Sequence, residues 1–180
     1  MIVIVGASAG GKTEIAKILF NKYHYQKCVT TTTRLPRTHE QNGVDYHFLT
    51  KEEFLDNKKQ DAFVEVTTYQ NNFYGINRRD IKEERVVILD PSGANELFFQ
   101  LKKKIFIVFV ESSKEKRQAR MLARGDNPNS VEKRLQSDDQ YFQEDKLFHI
   151  DLHIYNNNET LEELADLIHK NYHMFKSESK

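Results

Sequence analysis

The chain has 180 residues, with Lys+Arg and Asp+Glu each numbering 27 and charged side chains making up 30% of the total. That length supports one well-buried core with small excursions, and the balanced charge gives no global field to attract nucleic acid or a membrane surface. No apolar stretch approaches the roughly 20 residues of a membrane helix. The apolar start runs straight into a glycine loop, unlike a signal peptide, and the single cysteine, Cys28, allows no internal disulfide and fits a reducing cytosol. The expected location is therefore cytoplasmic, and the sequence indicates no obligate protein partner.

Ile2-Val3-Ile4-Val5 is all apolar, as a buried parallel strand requires. Next comes Gly6-Ala7-Ser8-Ala9-Gly10-Gly11-Lys12-Thr13, the pattern G-x-x-x-x-G-K-T, and then Ile15, Ile18, Leu19 and Tyr23 at helical spacing. A strand, a glycine loop and a helix in that order form a phosphate cradle. Backbone N–H groups curl around phosphate oxygens, the helix N-terminus adds its dipole, Lys12 reaches the outer phosphates and the Thr13 hydroxyl ligates Mg2+. The chain is expected to bind a nucleoside triphosphate.

The stretch Thr30–Arg79 changes character, being rich in Thr, Arg, Asn, Tyr and Phe, with an Asn42-Gly43 turn signal between two short extended pieces. It reads as a small β-rich insertion carrying a second substrate. Pro36 keeps Leu35 out of helix, so Arg34 and Arg37 sit on a stiff segment as two guanidinium forks suited to a phosphate monoester. The phenols of Tyr46 and Tyr74 could close the same pocket. Glu65 lies within Phe63-Val64-Glu65-Val66, where a carboxylate is costly unless it accepts hydrogen bonds. Guanine offers two donors on one edge and adenine does not; the plainer alternative is an edge-strand Glu facing water.

Val86–Leu89 and Ile105–Val110 read as further buried strands, with another around Leu152–Tyr155. Asp90, at the end of the first of these, either reaches the metal's water shell or simply opens a Pro91-Ser92-Gly93 turn. Helices are expected at Ser113–Arg124, Ser130–Phe142 and Thr160–Tyr172, with a polar tail fraying from about Lys176. The loop Gly125–Asn129 would act as a moving lid flanked by Arg120, Arg124 and Arg134, although most charges on this basic helix belong to a solvated face. The seven histidines show no metal-ligand spacing.

These residues resemble the guanylate kinase family. The likeness covers most of the chain: Gly6–Thr13, Thr33-Arg34-Leu35-Pro36-Arg37, Asn42-Gly43-Val44-Asp45-Tyr46-His47-Phe48, Phe73-Tyr74-Gly75, Asp90-Pro91-Ser92-Gly93-Ala94 and Asn156–Asn158. It implies an α/β fold, a P-loop NTPase-type parallel sheet flanked by helices (core 1–29 and 84–180). The sheet would carry a β-rich nucleotide-monophosphate-binding insertion at about 30–83 and a helical lid at about 113–142. By the same likeness, ATP binds Gly6, Ala7, Ser8, Ala9, Gly10, Gly11, Lys12 and Thr13, with Asn156 or Asn157 near its adenine. Thr30 and Glu65 contact guanine, and Arg34, Arg37, Tyr46 and Tyr74 hold the GMP phosphate. Asp90 is the nucleotide- and metal-side acid, acting on Mg2+ through water.

The resemblance has departures. The family usually places Ser or Thr after Tyr-Gly, donating to the guanine side, where this chain has Ile76; that would weaken or alter the base preference. Its Asp-x-Gln-Gly reads Asp90-Pro91-Ser92-Gly93, and an acid usual two places earlier is Ile88. The expected activity is phosphoryl transfer from ATP to GMP. The rivals are a kinase for another phosphate ester such as ribose 1,5-bisphosphate, and a non-catalytic binding module. The second is disfavoured by the presence of Lys12, Thr13, Arg34 and Arg37.

Overall fold

In a computed structural model, which describes residues 1–38, 40–69 and 71–178, strand β1 (Ile2–Val5) is the centre of the molecule. All four of its side chains are fully buried, and its alternation explains why. Ile2 and Ile4 face α1 (Lys12–Tyr23) and the C-terminal helix α6 (Leu161–Glu178). Val3 and Val5 face the opposite layer, built on α3 (Pro91–Leu101). Helices cover both faces, so the strand has no polar side to show.

The main sheet is parallel throughout and has five strands. Its order is β2 (Gln26–Lys27), β7 (Arg85–Leu89), β1, β8 (Phe106–Glu111) and β9 (Leu152–Tyr155). Successive strands leave from β1 in opposite directions, so the loop after β1 emerges where the strand order reverses, the place where such sheets bind ligands.

A second, four-stranded sheet has the order β4 (His47–Phe48), β3 (Thr31–Thr32), β6 (Asn72–Asn77) and β5 (Phe63–Tyr69). Strands β5 and β6 form an antiparallel pair with a bulge between Phe63 and Glu65. One end of this sheet is closed by α2 (Lys51–Lys59), whose single buried side chain, Phe54, stacks on Phe63 with ring centroids 4.5 Å apart. This helix lies within the stretch read as β-rich. It is set by a Thr50–Glu53 capping box, a device worth on the order of 1 kcal/mol.

Three local expectations are corrected. The Asp90–Gly93 segment is not a free turn: Asp90 caps α3, accepting the Gly93 N–H at 2.9 Å, and Pro91 takes the first helical position, where its missing N–H costs nothing. Helix α5 (Pro128–Tyr141) starts ahead of Ser130 for the same reason, with Asn127 as its cap and Pro128 inside its first turn. Helix α6 is capped by Thr160 and Glu163 and continues through Glu178, where fraying was expected from Lys176; residues 179–180 lie outside the described residues. Helices α4 (Lys114–Ala123) and α5 pair through Met121, Val131 and Leu135, and that small core packs on Ala9 of the glycine loop. Among the described residues no helix is long and apolar enough to cross a membrane.

Candidate active site

The glycine loop between β1 and α1 is held from below. Asn156, 3% exposed, donates from Nδ2 to Gly10 O at 2.8 Å, and its Oδ1 accepts from Arg120 at 3.1 Å. A Cβ at Gly11, which has φ +96°, would lie 2.1 Å from Asn156 Nδ2, so only glycine permits this approach. Arg120 also donates to Ala9 O at 3.1 Å and so ties α4 to the loop. Both ends of the Asn156 side chain are thus engaged under the loop. The residue braces the cradle from below. Asn157 accepts the Ser113 N–H at 2.9 Å and fixes the start of α4.

Lys12 folds back onto the loop, donating to Gly6 O at 2.5 Å and Ala7 O at 2.8 Å. Burial lowers its pKa to about 8, against the opposing pull of the nearby Asp138 carboxylate. Asp138, 5% exposed on α5, accepts the Ser8 N–H at 2.7 Å. Arg117, 5% exposed on α4, approaches Asp138 to 3.9 Å and forms a closer ion pair with Asp139. Sequence reasoning missed this cluster; the signal was two adjacent acids on a helix facing an otherwise basic one. Thr13 is exposed in the first turn of α1, and no hydrogen bond engages its hydroxyl among the described residues.

A cavity of about 270 Å³ joins this cradle to the second sheet, and Lys12, Thr30, Tyr46, Glu65, Tyr74 and Asp90 all line it. Glu65 does not face water as an edge-strand residue would; it is 2% exposed. Its Oε1 has no hydrogen-bond partner among the described residues and faces Gly93, where an added Cβ would come within 3.1 Å of that oxygen. Desolvation pushes its carboxyl up to about 8, while a hydrogen bond from Thr67 opposes the rise. The rings of Tyr46 and Tyr74 meet edge to face, with centroids 6.3 Å apart.

The arginines are placed differently. Arg34 is held by Glu40 through two bonds of 2.8 and 2.9 Å and lies over the Tyr46 ring. Arg37, Arg124 and Arg134 line a separate cleft of about 510 Å³ with Asp126, which accepts from Arg124 at 2.6 Å and pairs with Arg134 at 3.6 Å. With Ser8, which also lines it, the structure therefore brings seven of the candidate residues to one cavity. It leaves Arg34, Arg37, Arg124 and Arg134 outside that cavity's lining, three of them paired with carboxylates.

The family model for guanylate kinase matches residues 1–171, from β1 into α6. The chain belongs to the guanylate kinase family. A guanylate kinase of Clostridium perfringens (strain SM101) is 37% identical over 145 residues, 76% of this chain and 67% of that protein. One from Wolbachia pipientis wMel is 35% identical over 144 residues, covering 75% and 72%. The crystal structure of guanylate kinase from Anaplasma phagocytophilum superimposes with a TM-score of 0.68 at 22% identity, over 99% of this chain and 85% of that one, which speaks to the shared fold.

Family membership sharpens the question raised by Ile76. That side chain is fully buried in the cluster around Val3, Cys28 and Val87, and it is absent from the cavity wall. It neither obstructs a base nor offers it a hydrogen bond.

Proposed function

We propose that this chain transfers the γ-phosphoryl group of ATP to GMP, giving ADP and GDP. Within the family, the observation that carries this reading is Glu65: a buried carboxyl with an unpartnered oxygen in a cavity that opens onto the phosphate cradle. The N1–H and N2–H2 donors of guanine satisfy such a group, whereas a sugar phosphate leaves it orphaned, at a cost of a few kcal/mol.

In this reading residues 6–13 hold the ATP phosphates and the second sheet with its flanks, about 30–83, holds GMP. Thr30 and Glu65 meet the base, and Arg34, Arg37, Tyr46 and Tyr74 meet its phosphate. Helices α4 and α5 form the lid and carry Arg120, Arg124 and Arg134 toward the transferred group on closure. A GMP phosphate oxygen attacks Pγ in line as the bond from Pγ to the β,γ-bridging oxygen breaks, and no protein nucleophile is needed. Cys28 is unsuited to that role in any case, because burial pushes its thiol pKa up to about 12.

Mg2+ accompanies ATP and neutralises charge on its phosphates. The donors present fit it. Among the described residues no cluster of three His, Cys, Asp or Glu side chains could cage a metal, and Mg2+ bound to phosphates asks only for one or two protein oxygens. The Thr13 hydroxyl would supply one, and Asp90 would act on the ion through its water shell. Binding requires Lys12 to release Gly6 O and Ala7 O, and Asp138 to release the Ser8 N–H. The buried free cysteine is consistent with a cytoplasmic location, which this activity would also favour.

The test is ADP formation from ATP with Mg2+, with and without GMP. GMP-dependent release that stops on removing Mg2+ supports the reading. ATP binding without GMP-dependent turnover would reduce the chain to a binding module.

A further inference from the structure

Resting on the guanylate kinase reading, we infer that Thr67 is a base-specificity residue, supplying to guanine O6 the hydroxyl that position 76 does not provide. Three observations converge on it. Strand β5 alternates, so Glu65 and Thr67 stand on one face about 6.6 Å apart along the strand at roughly 3.3 Å per residue. Both line the cavity, and Thr67 is only half-buried, which leaves its hydroxyl room to reorient. Directly across from them on β6, Tyr74 opposes Thr67 and Ile76 opposes Glu65, but Ile76 is sealed into the core. Besides the Thr30 and Tyr74 hydroxyls, the wall beside the Glu65 carboxyl therefore carries an aliphatic hydroxyl on β5 at Thr67, on the same strand as Glu65.

The order of groups along the guanine edge fits this wall. N2–H2 and N1–H are adjacent donors, and O6 is the acceptor beside N1. A carboxylate that receives the two donors leaves O6 at its flank, where a neighbouring hydroxyl must donate or the oxygen goes unpaired. The Thr67 hydroxyl acts on the Glu65 carboxyl, holding its pKa down against the burial that raises it. When N1–H and N2–H2 take over that carboxylate, the hydroxyl proton turns to O6, and the count of donors and acceptors closes. A threonine serves this role well because its β-branched side chain holds few rotamers on a strand and the hydroxyl loses little entropy on binding.

The experiment compares wild type, Thr67→Val and Thr67→Ser with three acceptors: GMP, IMP, which lacks the 2-amino group, and 2-aminopurine riboside monophosphate, which lacks O6 and, with it, the N1 hydrogen. Valine keeps the shape and strand preference of threonine and removes only the hydroxyl. The expected result is a rise of about tenfold in KM for GMP and for IMP in Thr67→Val, the worth of one neutral hydrogen bond. KM for the 2-aminopurine nucleotide stays unchanged, kcat moves little, and serine restores the wild-type values. An unchanged KM for GMP in Thr67→Val overturns the assignment, and so does an equal rise for all three acceptors, which would mark a structural role. Failure of the wild type to phosphorylate GMP would overturn the underlying reading itself, so the two failures are distinguishable.

Discussion

The Asp138 carboxylate accepts the Ser8 backbone N–H at 2.7 Å, so an acid from helix α5 occupies an amide of the glycine loop that a phosphate oxygen would use. The negative charge satisfies that amide and draws on Lys12 at the same time. Nucleotide must displace it, and a hydrogen bond to a charged group is worth about 1.5–3 kcal/mol. Asp138→Ala is therefore expected to bind ADP about tenfold more tightly by calorimetry. Its melting temperature should fall, because Arg117 loses one of its two acidic neighbours in a buried setting. Weaker ADP binding in this variant would contradict the displacement account.

Glu65 gives a pH dependence with a definite sign. Its folded-state pKa is raised to about 8, so at neutral pH the empty pocket holds a neutral carboxyl, whereas guanine's two donors call for the carboxylate. GMP binding then releases a proton, and KM for GMP falls as pH rises from 7 and levels off above about 8. Glu65→Gln removes the titration. Its KM should be flat over that range and higher by on the order of a hundredfold, the cost of two charge-assisted bonds. A flat wild-type profile would show that Glu65 does not meet the base.

Among the described residues Lys12 hydrogen-bonds two loop carbonyls, and its ammonium lies 5.7 Å from the Phe142 ring centroid, so Lys12→Ala should fold and melt close to wild type. Its kcat should nevertheless drop by about 10³ or more, since a cation aimed at developing phosphate charge is worth several kcal/mol. Appreciable residual transfer would contradict its role.

Arg37 is exposed and lies outside the loop, in the cleft it shares with Arg124 and Arg134. Arg37→Ala should raise KM for GMP by about tenfold while leaving ATP affinity where it was, with both read in one initial-rate matrix. Comparable losses for the two nucleotides would show that the phosphate pocket is misassigned.

Much of this site was legible in the sequence because its chemistry is local. Ile2–Val5, Gly6–Thr13 and the periodic apolar residues of α1 adjoin one another, and each constrains the next. Glu65 stood out as an acid in an apolar strand. Two helices were harder to see for different reasons. Helix α2 buries only Phe54, so its apolar period is too thin to register despite the Thr50–Glu53 box. Helix α3 begins Asp-Pro-Ser-Gly, a string that opens a turn or caps a helix with equal ease. The Asn156 contact under the loop and the Asp138 contact upon it could not be read from the sequence, even though the resemblance places Asn156 at the ATP site. Their partners, Gly10 and Ser8, lie 146 and 130 residues away, and only the reversal of strand order around β1 brings them together.

The central claim is that a buried carboxyl on β5 selects a guanine monophosphate as acceptor. One competition measures it most directly: equimolar GMP, deoxy-GMP, AMP, UMP and ribose 1,5-bisphosphate with limiting ATP and Mg2+, the products separated by chromatography. The account predicts that phosphate goes to the guanine nucleotides alone. Phosphate arriving on ribose 1,5-bisphosphate or AMP in preference to GMP would contradict it and assign the cavity to another acceptor.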